Sequence, residues 1–394
     1  VQYDVVKMLA GEKKNLFIVG DDDQSIYRFR GARPEIMMHV EKDFPGIKKI
    51  VLDVNYRCPK EVVKLSLQLI SNNKVRFPKE IRAAAGEEGM VRNLSFSYQK
   101  DQDAYLAKEI RRLYKNGKSY NDMVVLFRTN LQPRLLMEYF MRYNIPFRTK
   151  ESIPNIYDHW IAKDILCYIR IALGSRQRSD FLQIMNRPKR YLSRESLPFD
   201  TVAFDVWEDY YKEADWMVQR LEKLQMDLKV IGGMKPYSAI NYIRKGVDYE
   251  EYLREIAQVR KIDYEEMIEI LDELMLSAKE FTSYEAWFLH MEDVNRELMI
   301  QQKQDPGEAV TLSTFHGVKG LEYDHVFITD VNEGMIPYRK SVLEADIEEE
   351  RRLFYVGVTR TKKELTLCHC GQINNREMLP SRFLGEFFGE TKRT

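Results

Sequence analysis

Cysteine is scarce in this 394-residue sequence, which has only Cys58, Cys167, Cys368 and Cys370. So few thiols do not make a disulfide framework, and a reducing cytoplasm is the simplest setting. The run Cys368, His369, Cys370 is no zinc site, because such a site wants about four ligands and no second Cys or His pair lies at ligand spacing. Within ELTLCHC, period-two alternation instead makes the two cysteines same-face residues of a strand. No apolar run approaches the roughly 18 residues of a membrane span, and no basic-then-apolar signal opens the chain, so no membrane partner is expected. Net charge is missing too. Lys plus Arg and Asp plus Glu both total 61, so any surface for a polyanion must be a local patch rather than a field of the whole chain. Charge is uneven along the chain all the same: residues 176–194 are rich in Arg and Lys and residues 248–273 in acids, patterns that solvated helix faces also produce.

The length suits two or three packed domains. NLFIVG (15–20), IKKIVLDV (47–54) and MVVLFR (123–128) read as buried parallel strands, with helical stretches at 59–73, 101–116 and 131–143 around them. That alternation predicts an α/β sheet. From about residue 156 to 302 helical periodicity takes over; in 262–278, Met267, Ile270, Leu271, Leu274 and Ala278 fall on one face. After the turn-rich QDPGEA (304–309), strands return at 310–315, 325–330 and 364–369. The expected architecture is an α/β lobe interrupted by an inserted all-helical block. The chain opens on Val1 inside a helical pattern, which predicts a fragment of something longer.

Four stretches carry chemistry. In VGDDDQSIYRFRGA (19–32), Gln24 follows a predicted strand end, where α/β folds bind ligands, and its amide can accept from a water and donate to a phosphate oxygen. Tyr27 and Phe29 alternate with Arg28 and Arg30, and aromatic faces stack on unpaired bases while guanidinium groups hold phosphates. NYRCP (55–59) sets Tyr56 beside Arg57, which suits a purine face and a phosphate. TLSTFHGVKGLEYDHVFI (311–328) ends a strand in Ser313, Thr314 and His316, with Gly317 and Gly320 about Lys319, so that a backbone phosphate can approach closely. EEERRLFYVGVTRTKKEL (348–365) is a helix with Asp346 and Glu349 at capping-box spacing and Arg360 near its end. Arg351 and Arg352 read as salt-bridged surface residues of that helix.

Together these four stretches resemble, in order, motifs III to VI of the UvrD/Rep/PcrA family of superfamily 1 DNA helicases, and the resemblance runs through to LPSRFLGEF (379–387). It implies RecA-like, P-loop NTPase-like lobes that bind ATP in their cleft and single-stranded DNA across their tops. On this basis residues 1–46 are the C-terminal remnant of a first RecA-like lobe, 47–155 and 306–394 the two parts of a second, and 156–305 the inserted helical subdomain. The resemblance implies that Gln24 senses the γ-phosphate and that Arg57 and Arg360 are arginine fingers. It has Tyr56 stack on adenine, with Glu322, beside Gly320, binding ribose. Tyr27 and Phe29 would stack on bases, Arg30 would anchor the loop, and Thr314 and His316 would touch the DNA backbone. ATP and Mg2+ are the implied cofactors of the intact protein. The implied partners are single-stranded DNA, junctions with duplex DNA and the missing first-lobe half, in a cytoplasmic, nucleoid-associated setting.

No GxxxxGK[ST] loop and no strand ending in Asp-Glu is present. GKS at 117–119 has Arg112 where the first glycine belongs, and ILDEL at 270–274 has helical spacing. The chain alone is therefore expected to be inactive and to hold no cofactor tightly. Phe29 stands where the family usually has Trp. RPKRYLS (187–193) stands where many relatives carry a Gly-Ile-Gly loop that contacts duplex DNA. A non-catalytic DNA-binding or regulatory protein, and the motor portion of a helicase-nuclease subunit, are the alternatives.

Overall fold

Met123–Phe127 is apolar at every position, so it needs cover on both faces and a neighbour on both edges. In the computed structural model it has both. The structure describes the chain apart from residues 1, 12–14, 29–30, 32–34, 85–88, 152, 304–306, 375 and 390–394. Phe29 and Arg30 thus lie outside the described residues.

The chain divides into two compact units, residues 1–153 with 301–394, and residues 154–300. The first begins with α1 (Gln2–Ala10), α2 (Glu35–Asp43), β1 (Val54–Asn55), α3 (Lys60–Ile70), β2 (Arg82–Ala83) and β3 (Met90–Tyr98). There follow α4 (Gln99–Lys115), β4 (Met123–Phe127), α5 (Arg134–Arg142) and β5 (Phe147–Thr149). The second unit is built from α6 (Trp160–Ala172), α7 (Arg178–Ile184), α8 (Phe204–Tyr210), α9 (Asp215–Gly232), α10 (Pro236–Lys245), α11 (Tyr249–Arg260), α12 (Tyr264–Ala278) and α13 (Tyr284–Lys303). The chain then returns to the first unit with β6 (Val310–Thr314), β7 (Tyr323–Ile328), α14 (Glu344–Val358), β8 (Thr361–Ile373), β9 (Arg376–Glu377) and α15 (Arg382–Phe388).

The main sheet runs β3-β8-β7-β4-β6-β5 with every pairing parallel, and β9 adds a short antiparallel pair to the end of β8. This is the mixed α/β, RecA-like arrangement expected. Its strands from the two ends of the sequence interleave, since β4 lies between β6 and β7. Leu365 and Leu367 of β8 join Leu126 and Ile328 in a core with Val62 and Leu69 of α3, Phe354 of α14, and Phe383 and Phe387 of α15. Each such side chain contributes about 1.5–3 kcal/mol when fully buried. On the alternate positions Cys368 and Cys370 are also fully buried, with the acids of α4 near enough to help burial raise their thiol pKa values. They are same-face residues of a strand, as the alternation predicts.

The second unit is helical throughout its named elements and packs large aromatics, with Tyr168, Phe181, Trp207, Tyr249 and Trp287 fully buried or nearly so. Met267, Ile270, Leu271, Leu274 and Ala278 all lie inside, on one face of α12. Asp164 at its centre is kept from being an isolated charge by Tyr249 Oη and Arg187 Nη1, each donating at 2.7 Å. Arg190 of RPKRYLS is buried, whereas Tyr191 is exposed and holds a positive φ of 60° without being glycine.

Four expectations need correction. NLFIVG forms no strand, and Phe17 is 88% exposed. Of IKKIVLDV only Val54 joins a ladder, the two-residue pairing of β1 with β2, and Leu52 is 83% exposed. Apolar runs become buried strands only when neighbouring strands satisfy their backbone and helices cover them, and the described residues supply neither here. Asp346 and Glu349 make no capping box. The N-cap of α14 is Leu343, and both acids turn to Arg28, Asp346 taking Nη1 at 3.4 Å and Glu349 the backbone N–H at 3.0 Å. Arg351 and Arg352 are buried rather than surface residues, since α15 and residues 73–75 cover that side of α14. Arg351 Nε donates to Glu386 at 2.6 Å and Arg352 Nη2 to the Val75 carbonyl at 2.8 Å.

His325 of β7 and His369 of β8 are both held below the ordinary imidazole pKa by burial, so the native state prefers them neutral. A depressed histidine contributes stability that is complete above the unfolded value and is lost as the pH falls through it toward the folded value. The urea midpoint should therefore drop on going from about pH 7.5 to about pH 5.5, and His325→Gln should make that drop smaller.

Candidate functional site

The three consecutive aspartates of the first stretch form a socket. Asp21 caps a short 3-10 turn, Asp22–Gln24, by accepting from the Asp23 N–H. The carboxylates of Asp21, Asp22 and Asp23 converge within 4.8 Å, close enough to hold a cation. The ammonium of Lys79 fills that role: it contacts Asp21 at 2.7 Å and Asp23 at 3.2 Å, and pairs with Asp22 as well. Arg76 grips Asp23 with two parallel bonds, at 3.0 and 2.8 Å, and the Phe77 N–H donates to Asp22 at 2.7 Å. The two cations bring residues 21–24 onto residues 76–79. Asp21 also fixes Gln24, whose Nε2 donates to it at 2.6 Å. A carboxylate can only accept, so this bond assigns the amide orientation and commits one donor of Gln24.

Arg57, Glu322 and Arg360 meet in one cluster. After β1, the Asn55 side chain accepts from the N–H groups of both Arg57 and Cys58 at 2.9 Å, an Asx-type turn. The turn sends Tyr56 outward, 85% exposed, while Arg57 Nε donates to Glu322 at 2.9 Å and Nη1 to the Thr359 carbonyl at 3.3 Å. The Arg57 guanidinium holds the Glu322 carboxyl below the usual carboxylate range. Gly320, two residues before Glu322, has a φ of 86°, which glycine adopts without strain.

Arg360 follows α14 and is only 1% exposed. It donates from Nε to the Val356 carbonyl at 2.8 Å, from Nη1 to the Leu321 carbonyl at 3.2 Å and from Nη2 to Thr359 Oγ1 at 3.1 Å. Among the described residues no carboxylate hydrogen-bonds to it. Burial, and then the charge of Arg57, push its pKa down to about 10. A buried cation held by neutral acceptors is the state that an incoming polyanion relieves.

Lys319 ties the two halves together. Its Nζ donates to the Gln24 carbonyl at 3.0 Å and lies 5.1 Å from the Tyr27 ring centre. Burial lowers its pKa, with Asp21 acting to raise it and Arg360 to lower it. Tyr27 packs on His316 with ring centres 5.9 Å apart. Burial, then Arg128, holds the His316 imidazole below its ordinary value, against a hydrogen bond it gives to the Ile26 backbone. Thr314 is buried and donates its hydroxyl to Glu151 at 2.5 Å. The structure thus gathers Gln24, Tyr27, Thr314 and His316 around the 313–320 loop, and Tyr56, Arg57, Gly320, Glu322 and Arg360 beside it.

Lys79, Arg76, Lys319 and Glu151 were not foreseen as site residues. Lys79 and Arg76 sit in an unremarkable KVRFPKE segment, and only three adjacent acids in need of counter-charge hint at them.

Comparison with known proteins gives the family. Residues 50–372 match the UvrD-like helicase C-terminal domain. The chain belongs to the UvrD-like helicase family. Residues 1–45 match the UvrD/REP helicase N-terminal domain, so the socket of Asp21–Asp23 and its cations lie in different family domains. The ATP-dependent DNA helicase Rep of Escherichia coli (strain K12) is 30% identical over 428 residues, covering 98% of this chain and 61% of Rep. The ATP-dependent DNA helicase PcrA of Staphylococcus aureus (strain NCTC 8325 / PS 47) is 31% identical over 415 residues, covering 98% of this chain and 56% of PcrA. The chain spans about three fifths of the length of the relatives it matches. Among the described residues no helix is long and apolar enough to cross a membrane.

Removing Lys79 leaves three converging carboxylates short of a counter-charge. Lys79→Met should lower stability by about 3 kcal/mol in urea unfolding at neutral pH.

Proposed function

We propose that this chain is the C-terminal part of an ATP-dependent 3′–5′ DNA helicase, carrying the arginine fingers and part of the single-strand grip, with the phosphate-cradling loop supplied outside it. The observation that supports this best is the buried Arg360, with no acid bonded to it, packed beside the Arg57–Glu322 pair and joined through Lys319 to the Gln24 loop. Buried Arg351 and Arg352 of the same unit pair with carboxylates, whereas Arg360 has two carbonyls and a hydroxyl.

In this reading Arg57 and Arg360 stabilise the charge that spreads over a transferring phosphoryl group, an effect worth about 10³ to 10⁵ in rate. Gln24, with Nε2 held by Asp21, offers Oε1 to orient the attacking water. Tyr56, already exposed, stacks on the adenine, and Glu322 beside Gly320 binds the ribose once Arg57 turns from it to phosphate. Bound Mg2+ would neutralise phosphate charge. The carboxylates that converge here hold Lys79 instead, so magnesium ligands are assigned to none of these residues. Tyr27, Phe29, Arg30, Thr314 and His316 face single-stranded DNA, including the strand leaving a duplex junction. Nucleotide and DNA sensing are coupled because residues 21–31 carry both Gln24 and the stacking aromatics, with Lys319 bonded to the first and lying over Tyr27. The domain roles follow: residues 1–46 complete the first RecA-like lobe, 47–155 and 306–394 form the second, and 156–305 the insertion.

With a nucleotide-binding half joined to it in one polypeptide, the chain should hydrolyse ATP in a DNA-stimulated manner, and without that half it should not. In the joined protein Arg360→Ala should lower kcat by about 10³-fold while ATP affinity measured by equilibrium binding stays near the unsubstituted value. Equal losses in rate and affinity would remove the finger role, and turnover that survives the substitution intact would remove the cleft itself.

A further inference from the structure

Thr314, read above as a contact to the DNA backbone, is already occupied. Lys150 follows β5 and still donates its N–H to the Leu312 carbonyl of β6 at 3.1 Å, so the chain stays against β6 for one more residue. Glu151 then folds its carboxylate over the end of β6. Thr314 donates to it twice, from Oγ1 at 2.5 Å and from the backbone N–H at 3.3 Å, while Ser313 Oγ stands 3.4 Å away and is nearer the Thr314 carbonyl, at 3.1 Å. Gly317 makes the space: a Cβ there would lie 2.3 Å from Glu151 Oε1 and 2.5 Å from Ser313 Oγ.

A hydroxyl and a peptide N–H beside a glycine, with a second hydroxyl in reach by rotation, form the donor set that receives a phosphate oxygen of a nucleic acid strand. Glu151 supplies such an oxyanion from within the chain. Among the described residues it pairs with no cation, so its carboxylate is held by neutral donors alone. Hydrogen bonds to a buried carboxylate largely repay its desolvation and leave a modest net gain, so an anion that brings further contacts can exchange with it. The charge matters to its surroundings, since it acts to raise the His316 pKa against burial and Arg128.

We propose that Glu151 is an internal stand-in for a DNA phosphate, occupying the seat formed by Ser313, Thr314 and Gly317, and that single-stranded DNA engages this seat by displacing it. The proposal rests on the reading of Thr314 as a backbone contact. Glu151 lowers the resting affinity for DNA and restricts this seat to strands that hold on elsewhere as well.

The test is equilibrium binding of a fluorescent oligothymidylate to this chain, followed by anisotropy at fixed salt. Glu151→Gln keeps the side-chain length and one acceptor oxygen but removes the charge, and should tighten binding about tenfold. Thr314→Val should weaken binding in both the parent and the Glu151→Gln background. Glu61→Gln, on the exposed start of α3, removes a charge elsewhere and should leave affinity unchanged. If Glu151→Gln leaves affinity the same or lower while Thr314→Val weakens it, the stand-in role is wrong and the DNA contact survives. An equal gain from Glu61→Gln would reduce the effect to net charge and overturn the proposal. No effect from Thr314→Val would remove the DNA contact and the proposal together. Should Glu151→Gln prove unfolded by circular dichroism, Glu151→Ser is read against the same three outcomes.

Discussion

The ammonium of Lys79, lodged among Asp21, Asp22 and Asp23 with Arg76 beside it, is the contact on which the candidate site depends. The acids precede Gln24 in the part of the chain matching the N-terminal family domain, and the cations follow α3 in the part matching the C-terminal one. Asp21 links the electrostatics to the chemistry: one oxygen takes Lys79 and the other the Gln24 amide. Residues 76–79 thus hold the carboxylate that orients the Gln24 side chain. Such pairs are costly to desolvate and specific once made, so they fix register better than they add stability.

Arg360 shows the opposite economy. The first unit's other buried arginines among the described residues are partnered, Arg351 by Glu386 and Arg352 by Glu348. Arg360 has carbonyl and hydroxyl acceptors only, with a second guanidinium nearby pushing its pKa down. A site that leaves a cation under-neutralised in the resting state keeps that electrostatic potential for a ligand. Lys319, also lowered by burial, extends the same potential toward the Gln24 loop. Glu151 is the counterpart on the nucleic-acid side, an acid placed where donors would otherwise stand ready.

Much of this was legible in the sequence. The apolar runs at 123–127, 310–314 and 323–328 became interior strands because each has partners on either side, and the alternation around Cys368 and Cys370 fixed their shared face. Gln24, Arg57 and Arg360 stood out because amide, aromatic and basic types recur in four short stretches, whereas Glu322 came only with the family resemblance those stretches carry. What stayed hidden is long-range pairing. Nothing local distinguishes Lys79 from any other surface lysine until the three acids are set opposite it, and Arg351 looks like a helix-face charge until α15 covers it. Asp346 and Glu349 have capping spacing, yet Arg28, more than 300 positions earlier in sequence, claims both. NLFIVG and IKKIVLDV have strand composition without strand neighbours, a condition that composition cannot express.

The uncovered stretches 15–19 and 50–52 have a physical consequence of their own. Phe17, Val19, Ile50 and Leu52 present apolar side chains to water along segments of extended, unladdered backbone. Open N–H and C=O groups beside greasy side chains are a template for strand addition. A strand laid against either segment would satisfy its backbone and cover its apolar side chains at once, so these two stretches are where association at high concentration would be expected to begin.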